Sequence, residues 1–228
     1  MTARLEYVIR LLARAPTGCL YPLASLFALL LGGVIRYRRR VIDDNLRAAF
    51  PALGDQARAA LARAVYRNLA DLAVEIIRAT RIERAELERR VEVDGLELVE
   101  AEVKAGRTVI LLAVHQCNWE WLLLRCSAAL DVPVWALYKP LHDCRVDAMM
   151  ARSRARFGAQ PVIARDVFAE LVKAGQEPRV IAMVADQIPP REDEKHWARF
   201  FDRDTAFYVG PAKLARMTRA TVMFAGMR

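Results

Sequence analysis

Thr108–Leu130 reads TVILLAVHQCNWEWLLLRCSAAL, and its two halves decide the fold. Thr108 to Val114 is an apolar run rich in β-branched residues, bounded by Gly106 and by a polar cluster. Such a run reads as a buried strand. Asn118 stands at an N-cap position, and Trp119 to Leu130 reads as a helix. His115 therefore ends a strand, and Glu120 lies in the first turn of the next helix. On one continuous helix the two would point to different faces, at about 100° per residue. With a turn between them, both side chains can meet at the mouth of a sheet. In open α/β sheets that carboxyl edge is where ligands bind.

The chemistry suits the two residue types. A neutral imidazole takes a proton from a hydroxyl, and a carboxylate beside it fixes the tautomer and stabilises the imidazolium that forms. His115 and Glu120 are thus the catalytic candidates. The competing reading is a locally hydrogen-bonded His and a Glu that supports a helix N-terminus.

Downstream the pattern alternates between strand and helix. Strands are expected at Val132–Leu137, Pro161–Ala164, Val180–Val184 and Ala220–Ala225, and helices at Val146–Phe157, Val167–Lys173 and Gly210–Thr218. The fold class is α/β, with a central, mostly parallel sheet flanked by helices. Lys139 follows one strand end and can serve an anionic group, or be a solvated loop residue. Asp186 and Gln187 follow another, on the same edge as His115 if the strands are parallel. Arg152, Arg154 and Arg156 lie on one helix, where an Arg fork suits a phosphate or carboxylate. Asp186 can pair with Arg154. Ile188–Asp204, with two prolines and a charge run, reads as a loop, and His196 within it is a weaker second base. Phe200 and Phe201 can line a groove or pack in the core.

Upstream the chain reads as helices. Met1–Arg14 fits an amphipathic helix, and Ala15 to Ile35 holds 21 residues without a charge. That is just long enough to cross a bilayer. Pro16, Pro22, Gly32 and Gly33 weaken it as a single helix. The cluster Arg36, Arg38, Arg39 and Arg40 follows at once, which argues against a signal peptide and for a cytoplasmic downstream chain. A monotopic hairpin, an interfacial helix and a buried core helix remain alternatives. Asp55–Arg81, Arg84–Arg90 and Leu96–Lys104 follow as helices, with Val91–Val93 alternating like a strand before an Asp94-Gly95 turn. Three segments result: residues 1–40 as membrane-attachment helices, 41–90 as a helical layer, and 91–228 as the α/β core.

Composition narrows the function. Of 228 residues 55% are hydrophobic, and 35 Lys and Arg against 27 Asp and Glu leave a net charge of +8. An apolar, basic chain suits an anionic membrane lipid or an acidic partner. No zinc-finger spacing or other nucleic-acid motif supports a nucleic-acid partner. The four cysteines, at 19, 117, 126 and 144, form no CxxC pair and read as reduced thiols. No metal-ligand spacing, phosphate-binding Gly loop or Gly-x-Ser-x-Gly elbow is present, so no metal or cofactor is expected.

His115-Gln116-Cys117-Asn118-Trp119-Glu120 resembles the His-four-residues-acid signature of the bacterial lipid A late acyltransferases, within the glycerolipid acyltransferase superfamily. The usual form is His-x-Gly-Asn-Trp-Glu, and here Cys117 replaces the Gly. Further matches are Asn45 and Pro51, Tyr138-Lys139-Pro140 for Tyr-Arg-Pro, Arg154-x-Arg156-x-Gly158, Asp186-Gln187, and Phe200-Phe201 without the Gly that usually follows. The resemblance covers about Tyr37 to the end, and family members usually continue further. It implies a glycerolipid-acyltransferase-like core and transfer of a fatty acyl chain from an acyl carrier protein thioester to a hydroxyl of a lipid A precursor. It places the enzyme at the cytoplasmic face of the bacterial inner membrane. His115 is then the base and Glu120 its partner, while Asn118, Lys139, Arg154, Asp186 and Gln187 bind substrate. The donor thioester, with CoA as the second option, is a substrate and not a cofactor. A lysophospholipid acceptor, a hydrolase, an idle membrane-binding protein and a Cys117 acyl-enzyme are the alternatives.

Overall fold

All regular structure ahead of the sheet is helical in the computed structural model, which describes residues 3–227. Met1 and Thr2, the start of the expected amphipathic helix, and Arg228, the end of the core segment, lie outside the described residues. The helices are α1 (Ala3–Leu12), α2 (Thr17–Leu29), α3 (Arg39–Ala49), α4 (Asp55–Ala79), α5 (Arg84–Arg90) and α6 (Leu96–Lys104). The first difference from expectation is in α2. Pro16 lies just outside the helix, Pro22 is carried within it, and the helix continues as π-helical winding over Leu30–Ile35.

The run Thr17–Ile35 is therefore one element of 19 residues, or about 28 Å at 1.5 Å per residue. Small residues explain how it is held. Ala70 and Val74 of α4 form a cluster with Leu20 and Ala24 of α2. Gly32 lets the run close on Tyr66, because a Cβ there would fall 2.7 Å from the Tyr66 ring. The Tyr66 hydroxyl donates to the Tyr37 carbonyl at 2.9 Å. The rest of the helix faces outward, with Leu23, Leu26, Leu29, Val34 and Ile35 exposed. Only 17% of its apolar window is buried, which is not the pattern of a core helix. It is a candidate membrane-attachment helix.

The chain then forms β1 (Val109–Ala113), α7 (Trp119–Ala129), β2 (Val134–Tyr138), α8 (Cys144–Arg154), β3 (Gln160–Ile163), α9 (Val167–Ala174), β4 (Val180–Val184), β5 (Lys195–Phe200), β6 (Arg203–Tyr208), α10 (Gly210–Thr218) and β7 (Thr221–Phe224). Five strands make one parallel sheet in the order β3-β2-β4-β1-β7. Its central strands are apolar without alternation because both faces are covered. Val109, Leu111, Val134, Ala136 and Val180 face α6 and α7, whereas Ile110, Trp135, Val162 and Ile181 face Val167 of α9 and Leu214 of α10.

Three expectations change. Val91–Val93 is not a strand; the Val91 carbonyl instead accepts from Arg125 Nε at 3.1 Å. α8 begins two residues early because Asp143 caps it, accepting from the backbone N–H groups of Arg145 and Val146. The expected loop at Ile188–Asp204 holds β5, which pairs antiparallel with β6. Phe201 and Asp202 link the two strands in left-handed conformations, with φ of 49° and 55°. A two-residue link of this kind matches the twist of a hairpin but normally uses Asn and Gly.

Candidate active site

Strand register builds the centre of the site. β1 and β4 are neighbours, with Ala113 opposite Val184. Two residues further along each strand, His115 lies opposite Asp186. One Asp186 oxygen is 2.7 Å from His115 Nδ1, and the other accepts from the His115 backbone N–H at 3.0 Å. An ionised carboxylate accepts only, so Nδ1 is the donor, and in the neutral ring Nε2 is left as the acceptor. The Trp119 ring packs edge-on against the imidazole at 4.6 Å. Gln187 Nε2 lies 3.5 Å from His115 Nε2.

Glu120 has a different partner from the one expected. It is 5% exposed and receives a two-pronged contact from Arg154, Nε to Oε2 at 2.9 Å and Nη2 to Oε1 at 2.6 Å. The first turn of α7 thus pairs this carboxylate with Arg154 at the end of α8. Burial alone would lower the Arg154 pKa, but the Glu120 hydrogen bonds and charge outweigh it and raise the pKa above its ordinary value. The guanidinium also lies 5.3 Å from the Tyr138 ring centre. The expected pairs, His115 with Glu120 and Arg154 with Asp186, are therefore exchanged.

Asn118 faces inward. It is 5% exposed, and its side-chain oxygen caps α7 by accepting from the Trp121 N–H at 3.0 Å. Its amide donates at 2.9 Å to Glu75, a residue of α4 that sequence reasoning missed. Glu75 also accepts from the Tyr21 hydroxyl at 2.8 Å, and its carbonyl accepts from the Trp121 indole at 2.9 Å. One carboxylate therefore ties α2, α4 and the start of α7 together. Its only sequence signal was an acid between Ala73 and Ile76 on an apolar helical pattern. Between His115 and Asn118 the chain turns through Cys117, whose φ is 47°. The signature's usual Gly fits this left-handed turn without strain.

The site opens into a cavity of about 710 Å³. His115, Glu120, Arg154 and Lys139 supply polar groups, and Leu111, Leu122, Ala136, Met150 and Ala182 line its apolar part. Lys139 Nζ donates to the Tyr208 hydroxyl at 2.8 Å; Tyr208 was a second omission from the sequence-based site. Asp186 lies behind the ring and does not line the cavity. Arg156 points elsewhere, donating to the Thr80 and Ile82 carbonyls beyond the end of α4. His196 is exposed on β5 opposite Phe207 and away from the cavity lining.

Chemically, the arrangement offers an imidazole base with a fixed tautomer at the rim of a largely apolar chamber. Its volume is in the range of small-molecule sites, about 300–1,000 Å³. A family model described as bacterial lipid A biosynthesis acyltransferase matches residues 6–227. Comparison with curated proteins finds no match.

Proposed function

The chain belongs to the bacterial lipid A biosynthesis acyltransferase family, whose activity is acyl transfer to lipid A, and we propose that its donor is a fatty acyl thioester of acyl carrier protein and its acceptor a hydroxyl of a lipid A precursor. The observation that carries this reading is the His115–Asp186 pair at 2.7 Å, in which the paired His115 lines the largely apolar cavity and Asp186 does not. The acyl chain lies in the cavity with its thioester carbonyl at the rim. His115 Nε2 removes the proton of the acceptor hydroxyl as that oxygen attacks the carbonyl carbon. Asp186 holds the ring and stabilises the imidazolium. Backbone N–H groups of residues 117–119, at the N-terminus of α7, stabilise the oxyanion. Collapse breaks the carbon–sulfur bond, and the imidazolium returns its proton to the departing thiolate.

Arg154, held by Glu120, and Lys139 position the anionic groups of donor and acceptor. Gln187 orients the hydroxyl at His115, and Asn118 keeps the turn in place. The net charge of +8 complements an acidic carrier protein and anionic membrane lipid. The outward apolar face of Thr17–Ile35, followed by Arg36, Arg38, Arg39 and Arg40, supports attachment to the cytoplasmic face of the inner membrane.

Thiol release from acyl carrier protein thioesters, with and without lipid A precursor, tests the reading. Acceptor-dependent release that disappears in His115→Ala is expected. Undiminished release in that variant overturns the mechanism, and equal release without acceptor makes the protein a thioesterase.

A further inference from the structure

The β5–β6 hairpin presents aromatic residues where a soluble turn would not. Phe200 and Phe201 at its tip are 54% and 52% exposed. Phe201 holds its place despite a left-handed φ of 49°, a conformation costly for a bulky side chain. The tip is not isolated. The Phe201 ring meets the Phe200 ring edge-on at 4.7 Å and the Phe50 ring at 6.2 Å. Phe50 is itself 42% exposed and follows α3, the first helix after the apolar run Thr17–Ile35. Along the chain α3 therefore joins the end of the apolar run to Phe50, and Phe50 packs on the hairpin tip.

Charge accompanies both elements. Arg36 and Arg38 are exposed between the apolar run and α3, and Arg39 and Arg40 are exposed in its first turn; at the hairpin turn, exposed Arg199 and Arg203 stand beside exposed Asp202 and Asp204. The base of the hairpin belongs to the active site, since β5 follows Asp186 and Gln187 along the chain and Tyr208 at the end of β6 lines the cavity. Exposed aromatic rings packed on the end of a helix at whose start four exposed arginines stand are complementary to a bilayer whose headgroups are anionic and whose chains lie just beneath.

We propose that the hairpin tip, Phe200 and Phe201 with Phe50, is a second membrane-insertion point, taking the headgroup region and upper acyl chains of an anionic bilayer. It rests on the membrane attachment proposed for Thr17–Ile35 and adds to it an orientation. Two contacts fix the rotation of the protein about its anchoring helix, and the second sets the cavity mouth against the lipid plane from which a lipid acceptor must come.

The test uses the full chain with vesicles of phosphatidylglycerol and phosphatidylcholine carrying brominated acyl chains. Phe201→Trp adds an emitter at the tip while keeping an aromatic ring. Most of the added emission is expected to be quenched by the brominated chains. In parallel, the double variant Phe200→Ser/Phe201→Ser is expected to lower the vesicle partition coefficient by about tenfold or more, with an unchanged thermal midpoint. Parent protein that binds the vesicles while the added tryptophan stays unquenched overturns this inference alone. Parent protein that does not bind them overturns the membrane reading as well. A double variant that loses self-association but partitions as the parent does would assign the tip to a second copy of the chain and overturn the inference.

Discussion

Replacing Asp186 with Asn separates the two carboxylates that lie near the catalytic candidate. Asp186 accepts two hydrogen bonds, from the His115 backbone N–H at 3.0 Å and at His115 Nδ1 at 2.7 Å. The backbone group can only donate, so in the variant the amide oxygen must stay with it. The new NH₂ then faces Nδ1 and forces that nitrogen to accept. The ring proton moves to Nε2, which can no longer act as a base. Where an amide replaces the partner carboxylate of a catalytic His, the loss in kcat approaches about 10⁴-fold, or ~5.5 kcal/mol. Here the His115 and Asp186 side chains keep 25% and 32% of their exposure, so water can restore part of the tautomer balance. The expected loss is therefore at the lower end, about 10³-fold, or ~4 kcal/mol. Acceptor-dependent thiol release under single-turnover conditions measures it, with thermal unfolding as the control. A loss under tenfold in folded Asp186→Asn refutes the pairing argument. A greater loss in Glu120→Gln than in Asp186→Asn would return the partner role to Glu120.

Glu120→Ala strands the Arg154 guanidinium in a site only 17% exposed, and breaking such a pair costs about 3–5 kcal/mol. Calorimetry should show the midpoint falling by about 6–20 °C, at about 2–4 °C per kcal/mol for a domain of this size; an unchanged midpoint would contradict the burial argument. Cys117→Gly relieves a left-handed residue at φ 47°, where an L side chain costs about 1–2 kcal/mol. After the greater chain entropy of unfolded Gly, about 0.5–1 kcal/mol, roughly 0–1.5 kcal/mol of stabilisation remains, seen in denaturant unfolding. Full transfer activity in the same variant is expected and excludes a Cys117 acyl-enzyme. Burial works against the Glu86 charge, but hydrogen bonds from Arg78 and Arg90 outweigh it and lower the carboxyl pKa below its ordinary 4.5. A lowered acid stabilises the fold above its ordinary pKa, and that contribution is lost as pH falls through the folded-state value. Glu86→Gln should cost about 1.5–3 kcal/mol at neutral pH and flatten the fall in stability below about pH 4.5; an acid limb as steep as the parent's would refute the assignment.

The sheet was legible because its strands are buried on both faces. Val180–Val184 is a pure apolar run, and burial of Val180 and Ile181 explains why it does not alternate. Helices were legible where caps and period agreed, as at Gly210–Thr218 with Pro211 in its first turn. The hairpin was hidden by its turn. Phe201-Asp202 carries none of the Gly or Asn that left-handed positions usually show, so β5 read as a charged loop. Val91–Val93 failed the opposite way. Its alternation fitted a strand, but pattern gives no strand partner, and Arg125 takes the Val91 carbonyl instead.

For the candidate site, the positions at the sheet edge were legible but the pairs were not. A chemical motif in a sequence shows which groups reach one edge of a sheet, and His115, Lys139 and Asp186 all follow strand ends as read. Which two of them touch depends on strand order, and strand order is not local. β4 enters between β2 and β1, although β2 and β3 precede it in the chain. That insertion brings Asp186, 71 residues away in sequence, against the imidazole. Glu120, only five residues from His115, lies beyond a left-handed turn and on a helix whose first turn faces α8. Short spacing made Glu120 the natural partner on paper, and the β1–β4 register gives that position to Asp186. Glu120 is left to do what a buried carboxylate on a rigid helix does well, which is to hold one arginine in a fixed direction at the edge of the cavity.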